Sequence, residues 1–174
     1  RPSREGQAWA ETWWARLGRA AGDAVVALHP GSGSPSKCWS PAAFARVARL
    51  LVVQGYRPLV IVGPADEAAA GALLAAASEA APVVVREPPL AGLVALLGRC
   101  AAYLGNDSGV THLAAAVGVP VVALFGPTDP ARWRPRGRWV RVLRFDAAGA
   151  VLSPEAVVGA LVEAATASGR RAAP

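Results

Sequence analysis

Seven consecutive residues, Asn106-Asp107-Ser108-Gly109-Val110-Thr111-His112, crowd a carboxylate, hydroxyls, a glycine and an imidazole into one short segment. An apolar run, Ala101 to Leu104, leads in, and an alanine-rich helical pattern, Val110 to Val117, leads out. A strand-to-helix turn of this kind favours anion chemistry. The first turn of a helix leaves N–H groups unpaired and carries a partial positive charge. Ser108 and the N–H groups of Gly109 and Val110 suit a phosphate there. Asp107, itself an anion, suits the hydroxyls of a sugar. His112 falls on the first helical turn, within reach of the same ligand. The plainer alternatives are that Asp107 or Ser108 only caps the helix and that His112 is a core histidine.

Three further polar stretches have site-like composition: 30–37, 63–67 and 126–129. The first, Pro30-Gly31-Ser32-Gly33-Ser34-Pro35-Ser36-Lys37, resembles a phosphate cradle. Glycines let backbone N–H groups approach an anion, Ser32 and its neighbours add hydroxyls, and Lys37 supplies a point charge. The loop lacks the GK[ST] ending of a Walker loop and does not fit GxGxxG, so a plain turn competes with a phosphate site. Lys37 is the one lysine in an arginine-rich chain. Glu67 follows an apolar run and is of the type that holds ribose hydroxyls at a strand end; alone, it also reads as a helix N-terminal charge. Thr128 and Asp129 precede Pro130, and capping of a helix is the favoured reading for Asp129.

These residues need positioning elements, and the hydrophobic pattern supplies them. Apolar runs at 24–28, 59–62, 83–85, 101–104 and 120–125 read as strands, with 139–143 as a sixth. Helical patterns alternate with them: 41 to about 55, 67 to about 80, 90–97, 110–117 and 154 to about 167, the last capped by Ser153. The strands are continuous apolar runs, as in a parallel sheet covered on both faces. The predicted architecture is therefore α/β, a doubly wound, Rossmann-like parallel sheet. In such a sheet every strand C-terminus lies on one edge, so all four polar stretches converge there. Residues 1–22 read as an N-terminal helix and linker, 23–168 as the Rossmann-like domain and 169–174 as a tail. Within 7–20, Trp9, Trp13 and Leu17 form one stripe, widened by Trp14. It packs either on the core or against a domain not included here.

The bulk properties bound the function. The chain has 174 residues, is 53% hydrophobic, and is long enough for one domain or one half of a larger enzyme. No apolar run is long enough for a membrane-spanning helix, and no signal peptide is evident. The first residue is Arg1 and there is no Met, which reads as a fragment, a processed chain or an excised domain. Cys38 and Cys100 lack metal-ligand spacing and read as two thiols in a reducing compartment. The net charge of +6 is matched by six arginines in one segment: Arg132, Arg134, Arg136, Arg138, Arg141 and Arg144. That segment reads first as a solvated face, then as a contact for an anionic acceptor or membrane surface, and last as a nucleic-acid site. No nucleic-acid motif accompanies it.

Taken together, HPGSGSPSKCW, VGPADE and LGNDSGVTHLAAAVGVPVVALFGPTDPARWRP resemble the C-terminal domain of glycosyltransferase family 9, the bacterial ADP-heptose:lipopolysaccharide heptosyltransferases of GT-B fold. The resemblance covers about residues 24–145. It implies the donor-binding half of an inverting, metal-independent transferase without other cofactors. Its donor is ADP-heptose and its acceptor is the lipopolysaccharide core. It implies that Lys37 contacts and stabilises the donor diphosphate and that Glu67 binds ribose. Asp107 engages the sugar, while Ser108, Gly109 and His112 hold the diphosphate. Ser32 and Gly33 are looser contacts, because loop 30–37 has its own length. The general base and the acceptor site are expected on an N-terminal half, absent here. The location implied is cytoplasmic, at the inner face of the membrane. The competing expectations are a GT-B transferase or epimerase using another nucleotide sugar, such as a UDP-sugar, and a non-catalytic nucleotide-sugar-binding module.

Overall fold

The computed structural model describes residues 2–16, 24–145 and 152–170. The expected helix end at 17–20, the boundary at 22–23 and the tail beyond 170 lie outside them. Six strands form one parallel sheet: β1 (Ala24–His29), β2 (Tyr56–Val62), β3 (Val83–Arg86), β4 (Ala102–Asn106), β5 (Val121–Phe125) and β6 (Val140–Arg144). Their order is β3-β2-β1-β4-β5-β6. The chain therefore winds outward in one direction through β1, β2 and β3, then returns to the centre and winds the other way. The reversal lies between β1 and β4, where Val26 pairs with Ala102 and His29 with Gly105.

The helices fill both faces, which is why the strands read as unbroken apolar runs. Along β1, Val26 and Leu28 join a core with α2 (Pro41–Val53), α3 (Glu67–Ala76) and α7 (Pro154–Ala167). Val25 and Ala27 point the other way, into a core with α1 (Arg4–Arg16), α4 (Leu90–Gly98) and α5 (Gly109–Val117). This is the two-residue alternation of a strand with water excluded from both sides. Phe44, Val47 and Leu51 of α2 and Val157 and Leu161 of α7 are buried in the first core.

Helix α1 corrects the sequence reading. Its buried face is Gly6, Ala10 and Trp14, one residue round from the expected Trp9–Trp13 stripe, and both of those tryptophans are only half-buried. The small side chains face α4 because the two helices approach closely: a Cβ on Gly6 would overlap the backbone of Ala91, and one on Gly92 would meet the Trp9 ring. Trp9 and Trp13 stack beside this seam with centroids 6.4 Å apart.

Caps mostly follow the sequence. Ser153 accepts from the Ala156 N–H at 3.1 Å and Asp129 from the Ala131 N–H at 2.9 Å. Asp129 opens α6 (Pro130–Trp133), a single turn. Ser40 stands at the start of α2 but makes no side-chain cap, and Pro41 occupies its first turn. Among the described residues, no helix is long and apolar enough to cross a membrane.

Candidate functional site

A cleft of about 370 Å³ opens over the strand C-termini on the β3-β2-β1-β4 side of the sheet, in the size range of small-molecule sites. Its walls come from four consecutive strand ends: His29, Ser32 and Gly33 after β1; Gly63 to Asp66 after β2; Glu87 and Pro88 after β3; Ser108, Gly109 and Val110 after β4. It meets the crevice between β1 and β4, where winding reverses and two loops part without a connection to fill the gap.

Asn106, fully buried at the end of β4, stitches that crevice together. Its Oδ1 accepts from the Trp39 N–H at 3.0 Å, and its Nδ2 donates to the Pro30 carbonyl at 2.8 Å. Ser32 adds a bond from its hydroxyl to the Asp107 carbonyl at 2.8 Å. The 30–37 loop, which includes a 3-10 turn at Pro35–Lys37, is thereby held beside the β4–α5 turn. Lys37 Nζ lies 3.2 Å from the buried Asp107 carboxylate. The lysine side chain is 35% exposed, so the pair is not sealed from solvent. A cation and a sugar-type acceptor thus stand together.

Ser108 takes the N-cap position of α5, its hydroxyl accepting from the Thr111 N–H. This cap coexists with a site, because Ser108 also lines the cleft beside the exposed Gly109. Below it runs a buried hydroxyl chain. Ser108 Oγ is 3.1 Å from Thr111 Oγ1, which donates to the Asn106 carbonyl and lies 3.0 Å from the Tyr103 hydroxyl. Burial pushes the Tyr103 phenol far above its ordinary value, so it stays protonated.

His29 and Asp66 form the polar floor. Nε2 of His29 is 2.9 Å from Asp66 Oδ2, and the two side chains are 4% and 9% exposed. The Gly63 N–H also donates to Oδ2, at 2.9 Å. The His29 hydrogen bond, opposed by burial and aided by the imidazole charge and the Gly63 N–H, holds the Asp66 carboxyl below its usual range. Gly31 makes this possible, since a Cβ there would overlap the Asp66 carboxylate. Cys38, half-buried, has its thiol pushed up by burial and then by the Asp66 charge.

The structure brings Ser32, Gly33, Ser108 and Gly109 together along the cleft; Lys37 and Asp107 pair with each other but are not among the residues that line it. Two further sequence candidates also stand apart from that lining. Glu67 forms an exposed ion pair with Arg86 at the start of α3. His112 is exposed on the first turn of α5, which excludes the core-histidine alternative. The 126–129 loop shares the strand edge but does not line the cleft, because β5 lies beyond the crevice. Its place is taken by Glu87 and Pro88, whose loop carries no glycine or serine to draw the eye. Glu87 adopts a left-handed φ of 43°. His29 and Asp66 were also missed as site residues. The available signal was that His29 ends a strand at the C-terminal edge. Among the described residues, no three His, Cys, Asp or Glu side chains gather as metal ligands.

A parallel sheet in this order, with polar loops converging on its reversal point, is a Rossmann-like domain of the kind found in GT-B transferases. Residues 4–151 match glycosyltransferase family 9 (heptosyltransferase), and the chain belongs to that family. Lipopolysaccharide heptosyltransferase 3 of Escherichia coli K12 is 35% identical over 138 residues, which is 73% of this chain and 39% of that protein. The solved structure of E. coli ADP-heptose lipopolysaccharide heptosyltransferase II superposes with a TM-score of 0.82 at 25% identity, covering 97% of this chain and 54% of that one. E. coli heptosyltransferase WaaC with ADP-2-deoxy-2-fluoro heptose is 26% identical, with a TM-score of 0.67 over 88% of this chain and 47% of that one. The chain thus spans about four-tenths to one-half the length of these relatives.

Proposed function

We propose that this chain is the donor-binding half of an inverting glycosyltransferase that moves heptose from ADP-heptose to a lipopolysaccharide core acceptor. The observation that carries this reading is the pairing of Lys37 with Asp107 beside the α5 N-terminus, next to a cleft large enough for a nucleoside. An anionic diphosphate lies over Ser108, Gly109 and Lys37, with Ser32 and Gly33 opposite. Its sugar hydroxyls donate to Asp107, and His112 closes over the outer phosphate. Glu67 reaches the ribose after leaving Arg86, an exposed pair that costs little to break. The E. coli relative solved with an ADP-heptose analogue supports the same ligand class.

As the anomeric bond to the diphosphate breaks, negative charge grows on the leaving phosphate. The N–H groups at the start of α5 and the Lys37 ammonium, held beside them by Asp107, supply the stabilising charge. This is the physical case for metal-independent transfer. The acceptor hydroxyl and the general base that deprotonates it come from the half of the fold outside this chain. Working at the cytoplasmic face of the membrane, the segment Arg132–Arg144, with Trp133 about half-exposed, meets anionic headgroups through charge.

Calorimetric titration with ADP, ADP-heptose, UDP-sugars and GDP-sugars tests the donor. ADP and ADP-heptose should bind tightest; preference for a UDP-sugar would end the heptose reading while leaving the fold untouched. Sedimentation with vesicles containing phosphatidylglycerol tests the membrane contact, which fails if Arg134→Ala/Arg136→Ala pellets like the parent chain.

A further inference from the structure

The chain has two histidines, His29 in the cleft lining and His112 outside it on the first turn of α5. One, His112, is exposed. The other, His29, is buried beneath the anion position and has no part in the reading above, on which the following rests.

The hydrogen-bond logic around His29 is constrained. Asp66, held ionised, can only accept, so Nε2 of His29 carries a proton toward it. That leaves Nδ1, which lies 3.5 Å from Ser108 Oγ. In the neutral ring, Nδ1 is an acceptor and draws the Ser108 hydroxyl proton inward. In the charged ring, Nδ1 becomes a donor to Ser108 Oγ and the hydroxyl proton turns outward. Thr111 Oγ1 has its own proton committed to the Asn106 carbonyl at 2.5 Å and accepts from the Tyr103 hydroxyl. Thr111 Oγ1, 3.1 Å from Ser108 Oγ, keeps one lone pair, and the cleft, which Ser108 lines, is the other direction for the Ser108 proton.

We propose that binding of a diphosphate in the cleft is coupled to uptake of one proton by His29, which turns the Ser108 hydroxyl from the imidazole to a phosphate oxygen. On this proposal the neutral ring is the form of the free site at mildly alkaline pH, and the loaded site holds an imidazolium clamped between Asp66 and Ser108. The gain is a buried positive charge beneath the diphosphate, complementing the partly exposed Lys37 and the α5 N-terminus. Asp66 is a positioning residue: it fixes which ring nitrogen faces Ser108 and balances the charge that arrives.

Apart from His112, which the reading above sets on the outer phosphate and which the test below separates, the other charged and titratable groups around the cleft do not substitute for His29. From the β1–α2 loop, Lys37 is already a cation facing Asp107, and the Cys38 thiol is held protonated. From β4, Tyr103 is locked in its phenol form. From the β3–α4 loop, Glu87 lines the cleft, and Glu67 pairs with Arg86 at the rim. Each carboxylate there opposes the anion unless it is compensated, and a protonated His29 supplies that compensation.

The test is isothermal titration of the full chain with ADP-heptose in buffers of differing ionisation enthalpy. A suitable pH is about 7.5, one unit above the ordinary histidine value of about 6.5. A diphosphate esterified at both ends has no proton to gain near neutrality, so any uptake belongs to the protein. Uptake should approach one proton per ligand, and affinity should fall up to ~10-fold per pH unit on the alkaline side. His29→Gln should bind ADP-heptose without uptake, and His112→Gln should keep the uptake. Ring 15N shifts of the unaltered chain report His29 directly, so the test survives if His29→Gln fails to fold. Binding without proton uptake, or uptake that vanishes in His112→Gln and persists in His29→Gln, overturns the proposal alone. A folded chain that binds no ADP-heptose at any pH overturns it together with the donor reading.

Discussion

Two regions of this molecule concentrate positive charge, and they differ in almost every other respect. The segment Arg132–Arg144 carries six arginines, all exposed, two of them over the tryptophans that follow them: Arg132 on Trp133 and Arg138 on Trp139. The crevice between β1 and β4 has one cation, Lys37, yet that cation is set against a buried carboxylate within a network of at least six hydrogen-bonded side chains. Exposed charges are screened by water and salt, and Arg141 is paired with Glu163, so the segment makes a diffuse field. One charge held against a fixed neighbour makes a geometry, and recognition of one ligand needs geometry. The crevice, not the richer patch, is where substitutions should be felt.

The largest separation between the regions should come from Asn106→Ala. It leaves the Trp39 N–H and the Pro30 carbonyl buried without their side-chain partner, a loss of about 3 kcal/mol. Urea denaturation measures it, and survival of full stability would show that the crevice is no more organised than the arginine face. Next, Lys37→Met should weaken ADP binding by about 1.5–3 kcal/mol, roughly 10- to 150-fold, in calorimetry. Asp107→Ala separates the two roles within the crevice. ADP-heptose should lose about 10-fold through the missing hydroxyl acceptor, while ADP should hold or bind better without the neighbouring negative charge.

Acid stability sharpens the contrast further. Asp66 has a folded value below its ordinary 3.8, so its contribution is complete above that pH and is lost as the pH falls through the depressed value. Asp66→Asn should flatten that part of the stability curve, measured by thermal melts between neutral and strongly acidic pH. The exposed Glu67–Arg86 pair, one residue away, should leave it unchanged when removed. The smallest effect belongs to Arg134→Ala/Arg136→Ala, with stability within about 0.5 kcal/mol of the parent and unchanged ADP affinity. A large loss of ADP affinity there would erase the distinction between field and geometry.

Adjacent residues show how far the sequence could be followed. Glu67 and Asp66 are both acidic and both follow β2. The sequence points to Glu67 because an acid at a helix start after a strand has a known use, but nothing local says that Asp66 faces inward. That depends on His29, 37 residues earlier, and on the bare backbone of Gly31 leaving room for the carboxylate. Trp14 shows the same limit: three tryptophans in one helical stripe are equally apolar, and only the closeness of α4 selects the face bearing Gly6 and Ala10.

The sequence by itself determined the strand and helix alternation, the parallel sheet and the turn holding Asp107, Ser108 and Gly109. Those follow from local periodicity and from what a strand-to-helix junction exposes, both written within about a dozen neighbouring residues. Only the tertiary structure decided which loops share the cleft, that Glu87 replaces the 126–129 loop in its wall, and that His29 meets both Asp66 and Ser108. Those contacts join residues 37 to 79 positions apart. Strand order brings them together, and strand order is fixed by the packing of two cores rather than by any one segment.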